Sequence, residues 1–241
     1  MIFQSPAPQP LLDKIVANIA ELHHSLPSLT TQEDILSDLS QHGLYRAHAK
    51  AVASLRVFAG APGEQLNEAR TYLSVNGKPV APGRKNLIPF ELNGAFSRVP
   101  ETYFTPAHLQ CYVFTQLPQP ASDGSTQLTF ASNPDLPETC ANKGISLTGL
   151  VRVDLATGQL HHLERTIVTP PTPGQHTTTF ISIDFASASI GDQRFWLPSL
   201  LTATMDKGYG HFTAHYSNFH RYTGSLTILP DVTRPGAEQE P

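Results

Sequence analysis

The chain has 241 residues, of which 39% are apolar and 15% charged, with 16 glycines and 21 prolines. It is long enough to bury a core of its own and too rich in turn residues for a coiled coil or a long-helix bundle. Its net charge of −4 arises from interspersed acids and bases, so it lacks the basic stripe that nucleic acid requires, and no run of about 18 apolar residues marks a membrane-spanning helix.

Residues 1–9 are Pro-rich and loose. They lack the basic segment and long apolar stretch of a signal peptide, and their texture suits the start of a mature exported chain, with a signal removed or a Met added. Pro10 suits a first helical turn, and Leu11, Ile15, Ile19 and Leu22 then recur at helical spacing, with Leu12 and Val16 beside them. This predicts an amphipathic helix of about four turns, stopped by Pro27. Residues 28–43 carry two signals. Thr30 and Glu33 form a capping-box pattern ahead of Ile35, Leu36 and Leu39, a short helix ending at Gly43, while the same residues also read as a polar strand. Local propensity favours the helix.

From Tyr45 onward alanines, Leu55 and Val57 occupy the odd positions and mostly polar residues the even ones, the pattern of a long strand. A second strand places Ala69, Thr71, Leu73 and Val75 on one face and ends at the Asn76-Gly77 turn. Residues 79–86 are loop, Leu87–Val99 forms a short helix or coil near Phe96, and Leu109–Thr115 and Gln127–Ala131 read as strands. Residues 133–142 are a long loop. A series of hairpins follows. Val151, Val153 and Leu155 alternate, turn at Ala156–Gln159 and return over Leu160–Ile167. Ile181, Ile183 and Phe185 turn at Gly191-Asp192 and return over Arg194–Leu197. Phe212, Ala214 and Tyr216 mark one more strand, and Leu226 and Ile228 another. With no linker or fixed repeat, residues 10–230 form one domain, and 231–241 a polar tail.

Eleven histidines invite a metal reading. His211 and His215 are one turn apart on a helix, but Phe212 and Tyr216 read as strand, where four residues span about 13 Å, too far for one ion. By parity His220 faces the other side. The adjacent pairs His23-His24 and His161-His162 also diverge if on strands. His162 and Glu164 share a strand face; such a pair suits acid–base work, although cross-strand polar pairing is the commoner role. No HExxH, GxSxG, GxGxxG or P-loop pattern occurs. The Gly144–Gly149 stretch around Ser146 has its second glycine one place late and leads into a strand. Asp154, Asp184 and Asp192 take turn or strand-end positions. No catalytic, metal or cofactor set assembles. Cys111 and Cys140 either close a loop of about 30 residues, worth about 3–4 kcal/mol, or are two unrelated buried thiols. Their spacing is not the paired CxxC of a zinc site.

Several segments recur in a familiar order: the helix ending Leu26-Pro27-Ser28-Leu29, Val75–Pro79, Gly149–Asp154, Thr157-Gly158, His162–Arg165, Ile183–Phe185, Ile190–Pro198 and Tyr216–Phe219. Over residues 11–229 the chain thereby resembles a group of exported bacterial proteins and, more distantly, the LolA-like lipoprotein-carrier and sensor fold. The resemblance implies an α+β architecture, a curved antiparallel sheet or open half-barrel, with the N-terminal helix and short helices on its concave face. It casts residues 28–41 as a first strand. It implies export, periplasmic or secreted, and so favours the Cys111–Cys140 disulfide. In carriers of that fold the concave cavity holds acyl chains.

The expected function is therefore a non-enzymatic envelope protein that binds a hydrophobic ligand, a lipid or lipoprotein, because one helix is too little to cover so large a sheet. The alternatives are an interaction module with a filled core, docking envelope partners through Pro-rich loops at 79–86, 117–124 and 133–142, and a metal-dependent or hydrolytic enzyme built on the histidines. No cofactor is expected.

Overall fold

The computed structural model describes residues 5–41, 45–58, 66–81, 83–84, 86–135, 140, 145–169, 178–206 and 209–222. In chain order the elements are β1 (Ser5–Pro6), α1 (Gln9–Ser25), β2 (Leu29–Gln41), β3 (Tyr45–Phe58), β4 (Asn67–Val75), β5 (Lys78–Pro79), α2 (Arg98–Tyr103), α3 (Pro106–Leu109), β6 (Tyr112–Gln116), β7 (Thr126–Ser132), β8 (Ser146–Val153), β9 (Leu160–Val168), β10 (Thr178–Ile190), β11 (Gln193–Met205) and β12 (Gly210–Arg221). The strands form one 12-stranded sheet in the order β1-β6-β7-β8-β9-β10-β11-β12-β2-β3-β4-β5. Its two edges do not pair, so the sheet curves as an open half-barrel.

The inner face follows from register and side-chain parity. Leu128, Val151, Leu163, Ile183, Leu201, Ala214, Ile35 and Ala51 are successive cross-strand partners from β7 to β3. All eight are buried in one core. Because side chains alternate with a period of two, this one row fixes the inward face of every strand it crosses. The aliphatic residues contribute about 1.5–3 kcal/mol each on burial. Register shifts interrupt the ladder at Val52/Ala53, Arg152/Val153, Asp184/Phe185 and Ser217/His220. Such bulges add local twist and bend, which helps a wide sheet to curl.

Three pieces of chain fill the concavity. Helix α1 presents Leu11, Leu12, Ile15 and Ile19 to the core. The turn between β8 and β9 packs against its backbone so closely that a Cβ on Gly158 would lie 2.5 Å from the Lys14 carbonyl carbon. Residues 88–97 form an irregular strap, and α2 with α3 continues it to β6. Phe96 of the strap sits edge-on to Tyr216, ring centres 4.9 Å apart, and Phe90 meets Phe212 at 6.4 Å.

Several expectations change. Residues 29–41 are strand, as the resemblance implied and against local propensity: β12 and β3 pair with them on both sides, and that ladder overrides the Thr30/Glu33 signal. In β4 the odd residues Ala69, Thr71 and Leu73 face solvent, while Glu68, Arg70 and Tyr72 turn inward. Leu155 is 57% exposed in the turn after β8. His220 does not face away from His211 and His215. The shift at Ser217/His220 pairs His220 with Thr30, on the outer face that His215 shares through its partner Asp34. Leu226, Ile228 and the 231–241 tail lie outside the described residues.

Candidate functional site

The inward polar residues of β2 and β4 are clamps for the strap. Glu33 is fully buried, and Arg70 donates to both of its carboxylate oxygens, at 2.6 and 2.9 Å. Arg70 also donates to Glu91, to the Leu92 carbonyl and to Asn93. Glu68 accepts from the backbone N–H of Gly94 and of Ser97 and from the Ser97 hydroxyl. Ser37 donates to the Phe90 carbonyl at 2.6 Å and accepts from the Phe90 N–H at 2.9 Å. Burial opposes the Arg70 charge, but the hydrogen bond and charge of Glu33 outweigh it and hold the guanidinium above its ordinary value. Sequence reading missed this set because it grouped Ala69, Thr71, Leu73 and Val75 on one face of β4 and took no account of the opposite one. The signal available was the alternation of Glu68, Arg70 and Tyr72.

Where the strap meets α1 the filling is incomplete. A narrow cleft with a cavity volume of about 40 Å³ runs between the C-terminal half of α1, the strap with the first turn of α2, and the rim of β9, β10 and β11. Ile19, Leu22 and Leu26 line it from α1, Phe96 and Pro100 from the strap and α2, and Leu160, Phe185, Trp196, Leu197 and Pro198 from the sheet. Its volume is well below that of ordinary small-molecule sites, and its walls are almost wholly apolar.

The polar groups at the cleft are few. His23 of α1 bonds through Nδ1 to Glu101 of α2, tying the two helices together. Burial lowers the His23 imidazole and raises the Glu101 carboxyl, the latter against the attraction of Arg98. The second Glu101 oxygen, Oε2, and the Trp196 indole N–H are buried without partners among the described residues. A raised carboxyl value means that the folded chain prefers protonated Glu101. That preference stabilises the fold below the ordinary carboxylate range and fades as pH rises through the raised value. Glu101→Gln fixes the neutral form. Its melting midpoint is expected to exceed that of the wild type near pH 7, with the gain vanishing toward about pH 4. Calorimetry at the two pH values checks this, and a gain independent of pH would contradict it.

His162 and Glu164 do meet, on the outer face, where Nε2 lies 2.8 Å from Glu164 Oε1. Nδ1 lies 2.6 Å from Asp184 Oδ1, and Arg152 bridges Asp184 and Asp123. Both ring nitrogens are thus engaged, which leaves none to take a substrate proton. The group is a cross-strand polar network. His211, His215 and His220 do not converge, and no cluster able to hold a metal occurs among the described residues. Ser146 begins β8 with no helix after it. Cys111 and Cys140 are joined, their Cα atoms 5.6 Å apart, which pins the loop after β7 to the end of α3.

Among solved structures the chain is similar to a domain from Vibrio parahaemolyticus assigned to outer membrane lipoprotein sorting. The identity is 12% and the TM-score 0.50, over 88% of this chain and 93% of that one. It is also similar to a LolA superfamily protein from Nitrosomonas europaea, at 12% identity and TM-score 0.36 over 91% and 95% of the two chains. A DUF1329 family protein from Desulfovibrio piger follows at 7% identity and TM-score 0.35, over 92% and 96%. No family model matches the chain, and no curated protein sequence does. The first likeness bears on the fold alone: an open, curved antiparallel sheet.

Proposed function

We propose that the chain is a non-enzymatic binding protein of the bacterial cell envelope, periplasmic or secreted, and that it takes a lipid or the acyl chain of a lipoprotein into the cleft beside α1. The observation that carries this reading is the apolar cleft at the seam where helix meets sheet, in a fold shared with a lipoprotein-sorting domain. Contacts within the seam are almost all apolar, apart from the His23–Glu101 bond, so α1 and the sheet separate there without breaking a large polar network. No helix among the described residues is long and apolar enough to cross a membrane, which fits a carrier that does not span one.

Mass spectrometry of organic extracts from natively purified protein is expected to find an acyl-chain lipid. Leu22→Trp places a large ring in the cleft, and displacement of a fluorescent fatty-acid probe is expected to weaken by about tenfold, the scale of losing about 1.4 kcal/mol of apolar contact. Leu155→Trp, on the exposed turn, is expected to leave probe binding unchanged. Recovery of a protein partner without lipid, together with a silent Leu22→Trp, would favour an interaction module instead.

A further inference from the structure

Two glycines in the chain follow an asparagine, at Asn76-Gly77 and Asn93-Gly94. The order matters chemically. A glycine places no side chain over its own amide nitrogen, and that nitrogen can close a five-membered ring on the carboxamide carbon of the residue before it. The two pairs sit in different surroundings. Asn76 is in the tight turn between β4 and β5, where its side-chain oxygen accepts from the backbone N–H of Lys50 at 2.9 Å. Asn93 is on the strap, where charged side chains of β4 reach both reacting groups. Arg70 donates through Nη1 to the Asn93 side-chain oxygen at 2.8 Å, and the Gly94 N–H donates to Glu68 Oε2 at 2.9 Å.

Each contact has a chemical meaning. A cation on a carboxamide oxygen draws electrons from its carbon and stands where negative charge develops when a nucleophile adds. A carboxylate on an N–H is placed to take its proton. Both groups are held from behind. The Arg70 guanidinium is fixed on the two Glu33 oxygens, its side chain 5% exposed. Glu68 turns its other oxygen, Oε1, to the Ser97 N–H and hydroxyl at 2.6 and 2.7 Å, which leaves Oε2 on Gly94.

A hollow of about 150 Å³ opens on these same residues, Glu68, Arg70, Asn93 and Gly94, and is closed by Leu55 and Arg98. It has room and polar partners for water. Asn93 is also exposed, so water can enter and a small product can leave. Gly94 has a φ of 77°, a left-handed conformation that glycine adopts readily, so the fold itself calls for the residue that the chemistry favours.

We propose that Asn93-Gly94 is a self-modification site, at which the folded chain converts Asn93 to aspartate and isoaspartate with Glu68 as base and Arg70 as oxyanion donor. The Gly94 nitrogen adds to Asn93 Cγ as its proton passes to Glu68, and the oxyanion formed on the side-chain oxygen stays on Arg70. The Cγ–Nδ2 bond then breaks, and Nδ2 leaves as ammonia with the proton that Glu68 returns. The ring that remains is a succinimide. Water opens it at either carbonyl, breaking one C–N bond, to give aspartate or isoaspartate. The sum is carboxamide plus water to carboxylate plus ammonia. In isoaspartate the main chain runs through the former side chain and is one methylene longer, which draws Gly94 away from Glu68. The hold of the strap on β4 therefore weakens as the molecule ages.

Peptide mapping by mass spectrometry tests this on the full chain, incubated near neutral pH both folded and in guanidinium chloride. Labelling by isoaspartyl methyltransferase identifies the isoaspartate, and Asn76-Gly77 is the internal reference. Folded Asn93 is expected to convert at least about tenfold faster than in denaturant, within what one positioned base contributes. Glu68→Gln removes the base and is expected to slow Asn93 in the folded chain by about tenfold, with Asn76 and both rates in denaturant unchanged. A folded Asn93 that converts no faster than the denatured one overturns the proposal, since the two hydrogen bonds then only fasten the strap. A folded Glu68→Gln chain that converts at the wild-type rate overturns it as well. The first comparison uses the wild type alone and decides the matter if Glu68→Gln does not fold.

Discussion

Replacing Glu33 by Ala is expected to destabilise the fold by about 3–5 kcal/mol, the usual result of leaving one member of a buried ion pair uncompensated. Glu33 has no exposure, and the Arg70 side chain is 5% exposed, so water cannot take over from the lost carboxylate. The loss also reaches the strap. Arg70 is aimed by Glu33, and its other donors hold Glu91, Leu92 and Asn93 over the concave face. Burial raises the Tyr216 phenol far above its ordinary value, so it cannot stand in for the lost carboxylate, and the acid left on Arg70, Glu91, is one third exposed. Urea unfolding measures the loss. Arg70→Met is expected to fall by a similar amount, and Glu33→Leu with Arg70→Met by clearly less than the sum of the single changes, because the double change leaves no orphaned charge. Strict additivity would mean that the two side chains act independently.

Replacing both Cys111 and Cys140 by Ser is expected to lower stability by about 3–4 kcal/mol, the chain-entropy value for a closed loop of this size. The two residues are 29 apart in sequence and both are buried. Among the described residues after β7, the Asn133 N–H donates to the Cys111 carbonyl, and the Asn133 side chain to the Gln110 carbonyl. Those bonds hold the end of the loop nearest β7 and leave the cystine to hold Cys140. Unfolding of the wild type in reductant is expected to shift to the midpoint of the double variant, and the variant itself to be indifferent to reductant. A wild type that ignores reductant while the variant is destabilised would assign the loss to packing of the serines, not to the cross-link.

What could be read from the sequence depended on whether a residue's role was local. Helix α1 was legible because Leu11, Ile15 and Ile19 repeat at its period and Pro27 stops it. The hairpins of β8 to β11 were legible because each pairs with its chain neighbour through a short turn, with Gly158 and Gly191 at positive φ. Residues 29–41 carried two local signals, helix and polar strand, and pairing with the neighbouring β3 and the distant β12 decides between them. The inward face of β4 was not legible for a different reason. Glu68 and Arg70 look like solvent residues by type, and they are interior because strap atoms, arriving from residues 90–97, supply their partners. The face of His220 turned on a bulge that parity cannot foresee. The cleft was legible only as a shortage of helix, and its walls come from segments that meet nowhere in the sequence.

The placement of β12 has a consequence for how the molecule comes into being. It is the last described strand in the chain, yet it lies between β11 and β2, where it joins the seven strands on one side to the four on the other. Until residues 210–221 are available, the inner face is two separate sheets, and the row through Leu201, Ala214 and Ile35 is broken at its middle. Closing the distance between residues 29 and 221 is a large entropic step taken before its reward, so folding is expected to be slow and to complete late. A nascent chain therefore keeps the two parts of its sheet apart until residues 210–221 have been made.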